Sequence, residues 1–472
     1  MNNTFKRFAR SFSYTFFANV LSIVVSTILI LIVPKFIGVE DYGYWQLYIF
    51  YSSYISYMSL GLTDGAYLRY GGHDYKNLHK PVFVSQYWFL IAFDLVINFL
   101  IAFLYGWFST DPNKSIVVVL TCITGVLVVP RSLLTFMLQS TGRIKEYSLI
   151  IIIERAVYFI LVLIFLVCGI EKFSYLIYAD IGGKVLSVVY AVLACKELVV
   201  GKFETIKASL KEIRLNISVG SKLLFANFAS LLIMGITRFS IEKHWSIGTF
   251  GKISLTLSIS NMLMLFINAV SVILFPTLRR TSEDKLPTIY NMMRSMIMLP
   301  LLGLLIFYYP GKFLFSIWLP KYVESFTYMA LLFPMCIYES KMLLLINTYL
   351  KTLRKEKYML VVNLITVGVS LLLTSISVFV LNSLPLTILT LLFLLAFRSI
   401  VAELFLARIL KVSVKKDIIL ETVMTIIFVA VSWYLSSMLA LMMYIVAYVI
   451  YLVIKKKDIS YLIQNIQSFI KA

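Results

Sequence analysis

Charge, histidine and paired cysteines are scarce in this chain, and each scarcity closes a route. Only 14% of its 472 residues are charged, against about a quarter in ordinary soluble domains. With 60% apolar residues and a mean hydropathy of +0.91, a soluble fold of this length could not hide its apolar surface. The three histidines, His73, His79 and His244, form no HExxH or comparable metal spacing. The four cysteines, Cys122, Cys168, Cys195 and Cys336, include no CxxC pair and sit within or beside apolar runs. They read as small packing residues, so neither a disulfide nor a metal site is expected. No GxxxxGK[ST] loop is present, which argues against nucleotide hydrolysis. No cofactor is expected.

What the chain has instead is a series of apolar runs of about 20 residues, each long enough to cross a bilayer as a helix. Roughly fourteen can be counted, at 14–37, 44–68, 81–108, 115–139, 147–169, 176–198, 218–241, 250–278, 290–310, 325–350, 358–380, 385–408, 418–435 and 437–454. The first follows the basic stretch "MNNTFKRFAR" and has no small-residue cleavage site, so it reads as a spanning helix and not a removable signal. The connections are short and leave no room for a soluble domain. The expected class is an all-α polytopic membrane protein.

The net charge of +20 would suggest nucleic acid in a soluble protein. Here the positive-inside rule explains it better. With the N-terminus inside, 28 Lys and Arg fall in inner segments and 6 in outer ones. That asymmetry predicts an even number of spans with both termini cytoplasmic, and no nucleic-acid partner.

The sequence also repeats weakly. "FFANVLS" at 16–22 resembles "LFANFAS" at 224–230, an offset of 208. At the same offset "DYGYWQLYIFYSS" (41–53) lies over "TFGKISLTLSISN" (249–261). The offset covers six spans, so the copies share one orientation. Two six-helix lobes are expected, residues 1–200 and 201–416, followed by a final helix pair and tail, 417–472. Parallel repeats of this kind are a transporter architecture, with substrate held between the halves near the midplane.

Ionisable groups inside a bilayer cost at least about 2.5 kcal/mol each, so they face a partner or a wet cavity. Nine cations lie at membrane depth: Arg131, Arg155, Lys184, Lys222, Arg238, Lys252, Arg294, Lys341 and Arg398. The acids there are Asp94, Glu154, Asp180, Glu339 and Glu403. The excess of cations suits an anionic substrate. Lys222, Lys252 and Arg294 lie near helix ends and are expected to reach the interface. Lys184 and Asp180 are four apart and can pair, or contact a ligand. Arg131, Arg155 and Arg238 are the better anchors, because a guanidinium fork matches phosphate oxygens. Asp94, with Asn98 one turn on, is either a carrier of a coupling ion, as Asp180 also could be, or a hydrogen-bonded packing residue. The aromatic run "YWQLYIFYSSYISYM" (44–58) has the look of a sugar-stacking wall, but tyrosines in membrane helices are more often packing or interface anchors.

The stretch joining the first two spans, "IVPKFIGVEDYGYWQLY", resembles the opening hairpin of Wzx-type oligosaccharide flippases. These belong to the superfamily that includes the multidrug and toxin extruders. Pro34, Ile37, Gly38, Glu40, Tyr42, Gly43 and Trp45 fill the pattern, and the likeness in sequence is strong mainly in the first 75 residues. The resemblance implies two six-helix lobes with an added pair. It also implies a substrate of oligosaccharide linked to undecaprenyl diphosphate, carried from the inner to the outer leaflet of a bacterial cytoplasmic membrane for O-antigen, capsule or exopolysaccharide assembly. Glycosyltransferases and a polymerase of the same pathway are the implied partners, with coupling to an ion gradient in some members. A multidrug extruder is the alternative within the superfamily. A membrane enzyme of polysaccharide assembly is the alternative from another class, although no DxD motif occurs.

"GLTDGAYLRYGGHDYKN" (61–77) is the one glycine-dense stretch. It lacks phosphate-loop spacing. It is expected at the cytoplasmic end of the second span, with Gly71 and Gly72 as a helix stop and Arg69 as an inner-edge cation. Asp64 and Arg69 would then stand near an inward mouth, where a lipid diphosphate would enter.

Overall fold

A computed structural model describes residues 3–279 and 285–460; Arg280 and Lys471, counted above among the inner basic residues, lie outside it. The described residues are almost entirely helical and contain no strand. Twelve helices among them are long and apolar enough to cross a membrane. A broken segment from 39 to 69 and the helix Ile247–Arg279 raise the number of membrane-length segments to fourteen. By internal contacts the chain divides into two compact units, Met1–Phe228 and Ala229–Ala472. The division falls inside one long helix.

Unit 1 is built from α1 (Asn3–Phe36), α2 (Val39–Ser52), α3 (Leu62–Arg69), α4 (Lys80–Phe108), α5 (Pro112–Ser140), α6 (Ile144–Val167), α7 (Phe173–Ala194), the short α8 (Lys196–Val199) and the first part of α9 (Ile206–His244). Local chemistry sets several ends. The Asp111 carboxylate accepts from the backbone of Asn113 (2.9 Å) and Lys114 (3.1 Å) and caps α5, with Pro112 at its first position. The core runs along one face of α5, where Leu133, Leu134, Met137 and Leu138 pack with Phe83 and Leu90 of α4. Outward faces carry exposed Phe99, Phe103 and Trp107, as a lipid-facing surface requires.

The second span is not one helix, as its apolar run suggested. α2 stops at Ser52, and residues 55–59 form a tight 3₁₀ turn. Ser53 and Ser59 donate their hydroxyls back to the carbonyls of Phe50 (2.6 Å) and Ser56 (3.0 Å), competing with the helical ladder. Leu60 and Gly61 then both take left-handed backbone (φ 53° and 85°), which resets the chain direction before α3.

The purpose of the glycines lies about 150 residues downstream. α3 crosses the first part of α9 in backbone-to-backbone contact. A Cβ on Gly65 would overlap the Asn216 carbonyl, one on Gly220 would overlap the Gly61 carbonyl, and one on Gly61 would come within 2.7 Å of the Ser221 nitrogen. Polar contacts fasten the crossing. Arg69 donates to Glu212 (2.9 Å) and to the Asn216 side-chain oxygen, and Asn216 donates to Gln86 (3.1 Å). Gly72 (φ 88°) then turns the chain, donating to the Ser140 carbonyl (3.0 Å). Gly220→Ala is expected to lower stability by at least about 2 kcal/mol, in the range of overpacking. Thermal unfolding of the purified protein in detergent reads it, and an unchanged midpoint would contradict the contact.

Unit 2 takes the remainder of α9, α10 (Ile247–Arg279), α11 (Leu286–Leu304), α12 (Tyr308–Trp318), α13 (Ser325–Leu332), α14 (Met335–Ser340), α15 (Asn347–Thr352), α16 (Glu356–Ser375), α17 (Leu384–Leu410), α18 (Lys415–Tyr434) and α19 (Ser437–Ile454). The run 325–352 is the most enclosed of the twelve spans. It is interrupted at Pro334, which lacks an N–H, and by a π-helical turn at Lys341–Ile346. Its Leu345, Ile346, Tyr349 and Leu350 pack with Tyr290 of α11 and Leu406 of α17.

Candidate functional site

Inside unit 1 four helices bring polar side chains together within their membrane-length segments. α2 supplies Tyr48, α5 Thr124 and Arg131, α6 Glu154 and Arg155, and α7 Asp180, Lys184 and Ser187. Tyr48 donates to Asp180 (2.5 Å) and shares a hydrogen bond with Thr124 (2.8 Å). Lys184 closes an ion pair with Asp180 on the same helix. Arg131 pairs with Glu154 across the α5–α6 contact and also donates to Ser187. Gly183 lets α7 lie against α6, since a Cβ there would come within 2.6 Å of the Glu154 carbonyl.

The electrostatic outcome is uneven. Two acids cancel two cations, and Arg155 is left over. It is partly exposed at the middle of the Ile144–Val167 span. It is adjacent to Glu154 on α6, about 100° further round the helix. Among the described residues it forms no hydrogen bond or ion pair. An arginine at that depth faces a partner or a water-filled cavity.

The other candidates are placed differently. Arg69 is engaged in the α3–α9 crossing. Arg238 donates to Ser254 (3.1 Å) and lies over the Phe250 ring; Glu242, buried one turn on, also weighs against its being a free anchor. Asp94 is wholly buried, with Asn98 donating to it (3.0 Å), and its Oδ2 has no hydrogen-bond partner. It shares no bond with the α2–α5–α6–α7 cluster. The tyrosines of 44–58 are largely absorbed in packing: Tyr44 against Phe173, Tyr54 and Tyr57 against Phe228. Cys122, Cys195 and Cys336 are buried and Cys168 is exposed, all as free thiols. At the end of α7 burial pushes the Cys195 thiol up to about 11, as suits a packing residue.

Unit 2 holds a larger buried charge network. Arg294 of α11 binds Glu403 of α17 (2.7 Å), Glu421 of α18 (2.8 Å) and Asp417 (3.1 Å). Lys341, at the π-helical turn, pairs with Glu403 and with Glu421 (2.8 Å). Tyr290 donates to Glu403 (2.9 Å). Lys455, at the end of α19, pairs with Asp417 and Asp458. Arg294, Lys341, Glu403 and Glu421 are at most 3% exposed. Arg294 therefore does not reach the interface, as its place near a helix end suggested; it is held inside by three carboxylates. Glu421 carries no local signal in the sequence, because it sits near the start of an apolar run with its partners 80 and 127 residues away. Arg398 is likewise satisfied by Asn363 (2.9 Å), Ser230 (2.8 Å) and Glu339 (3.2 Å). No group of three or more potential metal ligands occurs among the described residues.

Fourteen membrane-length helical segments among the described residues, in two units with charges buried in both, define a polytopic membrane protein. The fold is similar to that of solved membrane transporters, one of them described as a MATE family transporter of the MOP superfamily. The chain superposes on a lipid II flippase MurJ in an inward closed conformation with TM-score 0.61 and 15% identity, covering 96% of this chain and all of that one. It superposes on an inward-facing multidrug resistance MATE family transporter with TM-score 0.58 and 12% identity, covering 82% of this chain and 96% of that one. No family model and no curated protein matches the sequence.

Proposed function

We propose that this chain is a flippase. It moves undecaprenyl-diphosphate-linked oligosaccharide repeat units from the inner to the outer leaflet of a bacterial cytoplasmic membrane by alternating access, for cell-surface polysaccharide biosynthesis. The observation that carries the reading is Arg155. Arg131 and Lys184 are neutralised by Glu154 and Asp180, so the α2–α5–α6–α7 cluster keeps one net positive charge at mid-membrane, and a diphosphate supplies the missing anion. The fold supports the reading, since one protein that shares it is a lipid II flippase. Lys184 and Arg131 support Arg155 through the ordered walls around it, and Asp94, with one carboxylate oxygen unpartnered, takes the coupling-ion role ahead of the paired Asp180. Both termini are cytoplasmic in this reading, and the pathway's glycosyltransferases and polymerase are its partners.

A multidrug extruder is the second reading, and Asp94 is the observation that favours it, because a buried carboxylate is the group a cationic drug would seek. Ligand-induced stabilisation separates the two. The purified protein is heated with a polyprenyl-diphosphate-linked saccharide, with the uncharged polyprenol, and with a lipophilic cation. The diphosphate at 100 times its Kd is expected to add about 2.7 kcal/mol, and polyprenol alone little. Stabilisation by the cation and not by the diphosphate would overturn the flippase reading.

A further inference from the structure

The two halves of the repeat finish the same corner differently. At the offset of 208, Asp41 falls on Thr249 and Tyr44 on Lys252. Tyr44 is on the second span of unit 1. Its hydroxyl donates to Asp111, the N-cap of the fourth span (3.1 Å), and its ring packs on Phe173, the first residue of the sixth (centroids 4.9 Å apart). Asp41 accepts from the Phe173 backbone (3.0 Å). Unit 1 thus seals this corner with an aromatic ring and a carboxylate.

In unit 2 the equivalent helix starts carry Lys252 on α10, Glu324 at the N-cap of α13, and Leu384 at the start of α17. Lys252 and Glu324 pair at 3.0 Å, as Tyr44 and Asp111 do in unit 1, but no ring fills the corner. A cavity of about 440 Å³ remains. Its walls include Thr249, Lys252, Glu324, Pro385 and two neighbouring aromatic rings, Tyr328 and Trp433, with centroids 6.0 Å apart. Trp433 comes from α18, part of the final helix pair, which has no counterpart in unit 1. All these residues lie at the end of unit 2 that the basic-residue distribution assigns to the outside.

We propose that this corner is a saccharide-binding subsite. Sugar rings present apolar C–H faces and a periphery of hydroxyls. Tyr328 and Trp433 offer the apolar faces, with an indole N–H and a phenol at their edges. Lys252, Glu324 and Thr249 offer donors and acceptors. Glu324 is 87% exposed, so its pairing with Lys252 is worth little and both groups are available to a ligand. The volume accommodates about one or two sugar residues within the range of small-molecule sites. The proposal rests on the flippase reading, in which the subsite receives the glycan as it reaches the outer side.

The probe is the repeat-unit saccharide released by mild acid from the polyprenyl-diphosphate pool of cells lacking this chain. Its binding to the detergent-purified protein is titrated by saturation-transfer NMR, and the same variants are assayed for flipping in vesicles. Saturable binding is expected, weakened at least tenfold by Trp433→Ala and by Lys252→Ala, and within threefold of normal in Trp433→Tyr, which keeps the ring. Absence of saturable binding, or binding indifferent to both alanine variants, overturns the subsite. Flipping that persists beside that result leaves the flippase reading standing. Wild-type vesicles that do not flip overturn the flippase reading, while the titration still decides the subsite.

Discussion

Glu403→Ala is expected to leave little folded protein in the membrane. Glu403 is wholly buried and holds Arg294, Lys341 and Tyr290 at once. Its removal leaves two buried cations sharing Glu421, with Asp417 partly exposed beyond it. Breaking a buried pair by removing one partner costs about 3–5 kcal/mol, a large share of the 5–15 kcal/mol that holds a typical domain together. The loss reads directly as a fall in accumulated protein and in thermal midpoint. Removing the charges together tests the cause. Glu403→Leu combined with Lys341→Met replaces a pair by apolar groups of similar volume, an exchange that is often near neutral. The double variant is expected to recover most of the stability lost in Glu403→Ala. A double variant as unstable as the single one would show that the network matters for shape and not for charge balance.

Arg155→Ala is expected to act on transport and not on folding. Its guanidinium makes no bond within the described residues, so truncation leaves no buried partner stranded. What it removes, on the proposed reading, is a charge-assisted contact to a diphosphate. Such hydrogen bonds are worth about 1.5–3 kcal/mol, which corresponds to a fall in transport on the order of 10- to 150-fold. Arg155→Lys keeps the charge and loses the planar fork, and is expected to fall between the two. A normal thermal midpoint with a transport rate also normal would remove Arg155 from the site.

The membrane class and number of spans were legible because each span writes its own local signal: about 20 apolar residues between polar ends. The partners of charges were not, because they come from helices distant in sequence. Arg131 has no acid three or four residues away, yet Glu154 meets it from the next helix. Lys184 and Asp180 were visible because i,i+4 spacing is local. Arg294 looked like an interface residue, and only packing with α17 and α18 shows it to be interior. The same limit applied to Gly61 and Gly65. Their density announced something unusual, but the reason, contact with Asn216 and Gly220, depends on α9 crossing α3. The breaks after α2 and at Pro334 were hidden for a different reason: hydropathy measures apolarity and is blind to backbone direction.

A flippase of the proposed kind exposes a lipid-linked glycan on the far side of a bilayer. The direct measurement uses vesicles loaded on their inner side with undecaprenyl-diphosphate-linked saccharide. Exposure on the other leaflet is followed with an impermeant lectin or glycosidase. Exposure is expected to require the wild-type chain and to drop at least tenfold with Arg155→Ala at equal protein content. Exposure at the same rate in protein-free vesicles, or with Arg155→Ala indistinguishable from wild type, would contradict it.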